Sequence, residues 1–222
     1  MKILHLETSS KNCSVAISEG KKLLCLCEET SENYKQSELL HTFVKWAMEG
    51  ARISLKELDA VSLGAGPGSY TGLRIGASAA KGFCYGLNIP LIAVNSLETL
   101  AAPFIATGFD LVIPMADARR MEVYCAVYDG NSGQVIKETE AKVLDETSFQ
   151  ELSDKKILFA GDGARKAKEI LQLPYATFNA GVLPSAQYLI GKAADKFEAQ
   201  NFEDIAYFEP YYLKDFQGVK KK

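Results

Sequence analysis

The chain has 222 residues, 47% of them hydrophobic and 24% charged, with a formal net charge of -3. This is an ordinary globular composition, long enough for one large or two small domains with a proper core. The negative balance argues against a protein that grips nucleic acid alone through a wide basic face.

MKILHLETSS lacks the apolar core of a signal peptide, and no apolar run reaches membrane-spanning length, so a cytoplasmic protein without membrane contact is expected. The five cysteines (Cys13, Cys25, Cys27, Cys84, Cys125) are an odd number without a C-x-x-C pair, which suits a reducing compartment. The one basic cluster, Lys220 to Lys222, reads as a frayed tail rather than a nucleic-acid contact.

In chain order, the first 30 residues predict three strands: Ile3 to Glu7, Cys13 to Ser18 and Leu23 to Glu28. Leu39, Leu40, Phe43, Val44, Ala47 and Ala51 recur at helical spacing, and Ser54 with Glu57 forms a capping box. A strand from Ala60 to Leu63 runs into a glycine-rich turn and helix with glycines at 64, 66, 68, 72, 76 and 82. A strand from Pro90 to Val94 precedes a helix capped by Asn95.

The order then begins again. Leu111 to Ala116, Met121 to Asp129 and Val135 to Glu140 read as strands, and Thr147 with Gln150 predicts a helix start. Ile157 to Ala160 enters Gly161-Asp162-Gly163 and a helix through Leu171, and a long helix spans Ser185 to Gln200. The two halves share a plan without a sequence repeat, which predicts an α/β protein of two similar lobes, 1–107 and 108–222.

The glycines between 64 and 76 imply that something comes very close: a phosphate at the helix N-terminus, or a second helix against bare backbone. The turn fails both standard loops. Leu73 and Arg74 follow Gly72 where a P-loop needs Lys and Ser/Thr, and Ser69 or Thr71 stands where a third dinucleotide-loop glycine would be. Gly161-Asp162-Gly163 fails likewise. The two histidines, His5 and His41, form no ligand pair, and Ser9, Ser69 and Cys84 have no evident base, so neither a metal centre nor a hydrolase is supported. Glu7, before the polar turn Thr8-Ser9-Ser10, either holds a metal–nucleotide or satisfies turn amides. Asp117-Ala118-Arg119-Arg120 reads as a structural ion pair ahead of an anion site.

Four stretches carry a resemblance: ILHLETSSKNCSVAI (3–17), GAGPGSYTGLRIG (64–76), VNSLETLA (94–101) and DARRMEVYCAVYD (117–129). With Pro210-Tyr-Tyr-Leu-Lys214, they run in the order found in the TsaB (YeaZ) family, and the likeness spans essentially the whole chain. It implies a two-lobed actin/Hsp70/sugar-kinase fold with ribonuclease H-like lobes of mixed sheet flanked by helices. The last segment would then pack back on the N-terminal lobe.

The resemblance implies a role in forming N6-threonylcarbamoyl-adenosine beside the anticodon of tRNAs that read codons starting with adenine. The partners implied are a TsaD-type transferase, a TsaE-type ATPase and a second copy of the chain, with tRNA met only through the complex. The active relative TsaD carries V-N-H-x-E-G-H where this chain has Val94 to Leu100, so Ser96 and Leu100 replace both metal histidines and only Glu98 remains. Glu7 stands where TsaB sequences usually carry Asp.

A non-catalytic subunit with no catalytic or metal residues is therefore expected. Weak ATP or ADP binding with Mg stays open at Glu7, Thr8, Ser9, Ser10, Gly66, Gly68, Ser69, Gly161 and Gly163. The glycine-rich helix is expected to dock a partner through Tyr70, Gly72, Leu73, Arg74, Gly76, Ala79, Ala80 and Phe83. The rival expectation is an ATP-hydrolysing or phosphotransfer enzyme of the same superfamily.

Overall fold

The structure, a computed structural model, describes residues 1–32 and 35–214. Lys220 to Lys222 lie outside them. Strands β1 (Lys2–Glu7), β2 (Asn12–Glu19) and β3 (Lys22–Thr30) form an antiparallel meander. Helix α1 (Gln36–Ala51) lays Leu40, Phe43, Val44 and Ala47 against it. A single 3-10 turn at Leu55–Glu57 keeps the capping box, with Ser54 N donating to Glu57 Oε2 at 2.8 Å. Strand β4 (Ala60–Gly64) joins β1 in parallel, and helix α2 (Tyr70–Leu87) crosses to β5 (Leu91–Val94), parallel to β4. The sheet order is β3-β2-β1-β4-β5.

Helix α3 (Ser96–Ala101) starts where the Asn95 side chain accepts from Leu97 N at 2.8 Å. The second sheet follows: β6 (Leu111–Asp117), β7 (Glu122–Asp129), β8 (Val135–Val143), β9 (Ile157–Ala160), helix α4 (Ala164–Ile170) and β10 (Ala176–Asn179). Its order, β10-β9-β6-β7-β8, is the first sheet's plan repeated strand for strand. In each sheet two parallel strands are added beside the first strand of a meander. This is the two-lobed, actin-like arrangement of mixed sheets flanked by helices.

The lobes exchange helices. Leu97 and Ala101 of α3, which follows the first sheet, pack on Val112, Ala126 and Tyr128 of the second. A 3-10 turn (Ala186–Leu189) and helix α5 (Ile190–Glu198) return to the first sheet, where Leu189 and Ala193 meet Ile3, Ala60, Ile92 and Val94. Each large aliphatic side chain buried this way contributes roughly 1.5–3 kcal/mol, so neither lobe's sheet is covered without the other's chain segment. From α5 the chain runs back across the first lobe: Glu203 N donates to Leu91 O, Tyr211 N to Ala65 O, and Lys214 pairs with Glu122 of β7. Among the described residues no helix is long and apolar enough to cross a membrane.

One expectation fails locally, and one element was not expected. Thr147 and Gln150 do not start an α-helix, because Asp145 Oδ1 accepts from Thr147 N, Thr147 Oγ1 and Ser148 Oγ, closing a tight turn. One 3-10 turn, Gln150–Leu152, follows. Strand β10 has no counterpart in the sequence reading.

Candidate functional site

The residues that face one another at the junction of the lobes come from the β1–β2 turn, the glycine turn before α2, the start of α3 and the β9–α4 turn. Glu7 ends β1 and is fully buried. Its Oε1 accepts from Ser9 N at 2.7 Å, while Oε2 has no hydrogen-bond partner and lies against the α-carbon of Gly64. Burial raises the pKa of this carboxyl, against the pull of the Ser9 and Thr8 hydrogen bonds.

Four amides of these turns are bonded within the fold. Ser9 N serves Glu7, Ser69 N donates to Ser9 O at 2.7 Å, Gly66 N to Ser96 Oγ at 3.0 Å and Gly72 N to Ser69 Oγ at 3.3 Å. Thr8 donates its hydroxyl to Gly72 O at 2.8 Å, and Ser10 O accepts from Gln36 Nε2. A Cβ on Gly68 would stand closer than 3.0 Å to Ser9 O. The interlobe cleft, lined by Ser9, Ser69, Ser96, Leu100, Asp162 and Pro184 among others, holds about 50 Å³, against roughly 300–1,000 Å³ for ordinary small-molecule pockets. The turn residues therefore come together as expected, and the fold itself engages several of their polar groups.

The stretch Val94 to Leu100 is likewise occupied by the fold itself. Ser96 holds the glycine turn from both sides, its N donating to Gly66 O and its Oγ accepting from Gly66 N. Glu98 pairs with Lys192 of α5 at 2.7 Å. Leu100 is fully buried, with its Cδ2 closer than 3.0 Å to where a Cβ of Gly161 would be. Gly163 N donates to Met115 O at 3.0 Å, so the second glycine turn packs on β6 rather than facing a ligand. Among the described residues no group of three or more His, Cys, Asp or Glu could hold a metal ion. His5 is buried between Ser62 Oγ at 2.6 Å and Ser18 Oγ at 2.8 Å, and burial pushes its pKa down to about 3.

The docking helix needs a correction. Gly72, Leu73, Gly76, Ala79 and Ala80 are buried and face their own lobe. The close approach their small size permits is made by the β1–β2 turn: a Cβ on Gly72 or Gly76 would meet Thr8 at under 3.0 Å. The outward face of α2 carries Arg74, Ser78, Gly82, Tyr85 and Gly86, with Tyr70, Ile75 and Phe83 half-buried at its margins. A Cβ on Gly82 or Gly86 would meet nothing within 4 Å, and Tyr85 is 85% exposed.

Asp117 also finds a different partner from the one its neighbours suggest. It pairs with Lys166 of α4 at 2.6 Å and accepts from Arg119 N at 2.6 Å, while its own N donates to Asp162 Oδ1 at 2.8 Å. Arg119 (φ 69) and Arg120 (φ 51) form the tip of the β6–β7 hairpin in the left-handed region, which costs roughly 1–2 kcal/mol for each such residue. Both are exposed, and neither has a side-chain hydrogen bond or ion pair among the described residues. The contribution of Lys166 and Lys192 carried no local signal in the sequence.

Fold and site together define a two-lobed, actin-like protein with a narrow cleft where the lobes meet. The family described as TsaD, tRNA N6-adenosine threonylcarbamoyltransferase, matches residues 28–217. The chain is similar to the tRNA threonylcarbamoyladenosine biosynthesis protein TsaB of Bacillus subtilis strain 168, 37% identical over 78% of this chain and 76% of that one. It is 29% identical to the protein of the same name from Escherichia coli strain K12, over 100% of this chain and 98% of that one. The solved structure of YeaZ from Pseudomonas aeruginosa, 28% identical, superposes with a TM-score of 0.83 over 96% of this chain and 99% of that one. The chain belongs to the TsaD family, on the branch of the proteins named TsaB.

Proposed function

We propose that this chain is a non-catalytic subunit in the formation of N6-threonylcarbamoyl-adenosine on tRNA, acting by binding and activating a TsaD-type transferase, with a TsaE-type ATPase as a further partner. One observation carries the reading: Ser96, Glu98 and Leu100, at the positions where the transferase carries its metal motif, are all committed to holding the lobes together. Ser96 and Leu100 replace two imidazoles with a hydroxyl and an isobutyl group, neither of which substitutes for them on a metal.

The outward face of α2 from Ser78 to Gly86 is the surface we assign to the transferase, and to a second copy of the chain when it is alone. Apart from Tyr85 its exposed side chains are short, and its two glycines leave open space for close helix approach. Reconstitution tests the reading. The purified chain is expected to transfer no threonylcarbamoyl group by itself and to restore transfer when added to a TsaD-type enzyme. Transfer by the chain alone overturns it. The rival reading, an ATP-hydrolysing enzyme, requires tight magnesium–ATP binding by calorimetry that Glu7→Ala abolishes.

A further inference from the structure

The hairpin tip at Arg119 and Arg120 is not used by the function proposed above. Its two neighbouring carboxylates are each neutralised by a lysine, Asp117 by Lys166 and Glu122 by Lys214. Two unpartnered guanidinium groups are left over on a strained, solvent-facing turn. Such backbone strain persists only where the surrounding structure imposes it.

The surface around the tip is aromatic as well as basic. Tyr124 follows on β7; burial raises the pKa of its phenol, and Lys214, Glu122 and Arg119 all act on it electrostatically. Lys214 leads back along the chain to Tyr212, whose ring lies 5.0 Å from that of Tyr70. Arg74 caps the same pair, its guanidinium carbon 4.2 Å from the Tyr70 ring centre. Cations and π-faces thus alternate in one band from the second lobe, over the 211–214 segment, to the start of α2. Unpaired arginines suit phosphate oxygens, and partly exposed tyrosines suit unstacked bases.

We propose that this band, centred on Arg119 and Arg120, contacts RNA directly, holding the backbone and unstacked bases of a tRNA loop. The proposal rests on the functional reading above for the identity of the RNA, and departs from the expectation that tRNA is met only through other subunits. The negative net charge of the chain is compatible with a local contact, because the band needs only its own uncompensated cations.

The test uses the full chain with a TsaD-type transferase and a fluorescein-labelled transcript of a tRNA that reads codons starting with adenine. R119A/R120A is expected to weaken binding about tenfold and to flatten the slope of log K against log salt by about 1–2. In the modification assay it should raise KM for tRNA and leave kcat unchanged. R119G/R120G relieves the positive φ at both positions, so it folds at least as well and must lose binding equally; R119K/R120K must retain most of it. Unchanged affinity and salt slope in the alanine and glycine variants overturn the proposal. So does loss of transferase association with RNA binding intact, which would assign the arginines to an acidic protein surface. If the unaltered chain supports modification while the variants bind RNA normally, this inference alone fails. If it supports none while RNA binding still needs the arginines, only the functional reading fails.

Discussion

Glu7 and Gly64 lie side by side on neighbouring parallel strands, and a Cβ on Gly64 would stand closer than 3.0 Å to Oε1, Oε2 and Cδ of the Glu7 carboxyl. The glycine at this position is required by the acid beside it. Oε2 of this carboxyl has no hydrogen-bond partner, and burial raises its pKa.

Gly64→Ala is expected to lower stability by about 1–3 kcal/mol through overpacking. Glu7→Asp is one methylene shorter, and in that background the alanine should cost much less. Urea unfolding of the two single variants and the double variant measures the coupling. Strictly additive losses would mean that the two residues do not compete for the same space.

Burial raises the Glu7 pKa, so the folded state holds this proton more tightly than the unfolded chain does. The penalty for ionising it is absent below the unfolded carboxylate value of about 4.3 and grows as pH rises through the folded value. Glu7→Gln keeps the acceptor for Ser9 N and cannot ionise. Its stability relative to the unaltered chain should therefore increase between pH 4 and pH 8, read as the difference in urea midpoints. A difference independent of pH would show that the carboxyl titrates normally.

His5 has the opposite sign. Its pKa is lowered to about 3, so its contribution is complete above the unfolded histidine value of about 6.5 and is lost as pH falls toward about 3. The stability of the unaltered chain should fall by up to about 1.4 kcal/mol per pH unit over that interval from this residue alone. His5→Gln should be less stable at pH 7 and should lose that part of the slope. Parallel profiles for the two proteins between pH 7 and pH 4 would remove His5 from the account.

The two faces of α2 separate by substitution. Gly76→Ala drives a methyl group into Thr8 Oγ1 and Leu63 Cδ1 and should destabilise the lobe by about 1–3 kcal/mol. Gly82→Ala meets open space in a helix interior and should stabilise the chain by about 0.5–1 kcal/mol. If the outward face docks a partner, the Gly82 variant should also associate more weakly in sedimentation, despite its higher melting temperature. Stronger association would move the interface elsewhere.

Cys13, Cys84 and Cys125 are buried, and burial pushes each thiol up to about 12. Iodoacetamide at neutral pH should leave all three unmodified in the folded protein and label them on unfolding. Mass mapping of the labelled sites checks this, and rapid native labelling of Cys84 would contradict its place on the buried face of α2.

Much of the local structure was legible because short-range chemistry decides it. Asn95 and the Ser54–Glu57 pair cap the turns their spacing announces, and Gly72 and Gly76, four apart, do mark one face of close approach. Strand β10 was not legible: Ala176–Asn179 is four partly exposed residues without alternation, and it becomes a strand only because β9 offers a free edge. Thr147 looked like a cap until Asp145, two residues earlier, took its hydroxyl.

By itself the sequence determined the class of fold and the family, since each is written in residue type and short spacing. Tertiary structure alone decided which surface each motif faces. The small residues of α2 meet their own β1–β2 turn, and Asp117 meets Lys166, 49 residues away, leaving Arg119 and Arg120 free. The physical reason is that contact partners are chosen by the closing of the sheets, which brings together residues whose separation along the chain carries no signal of their proximity.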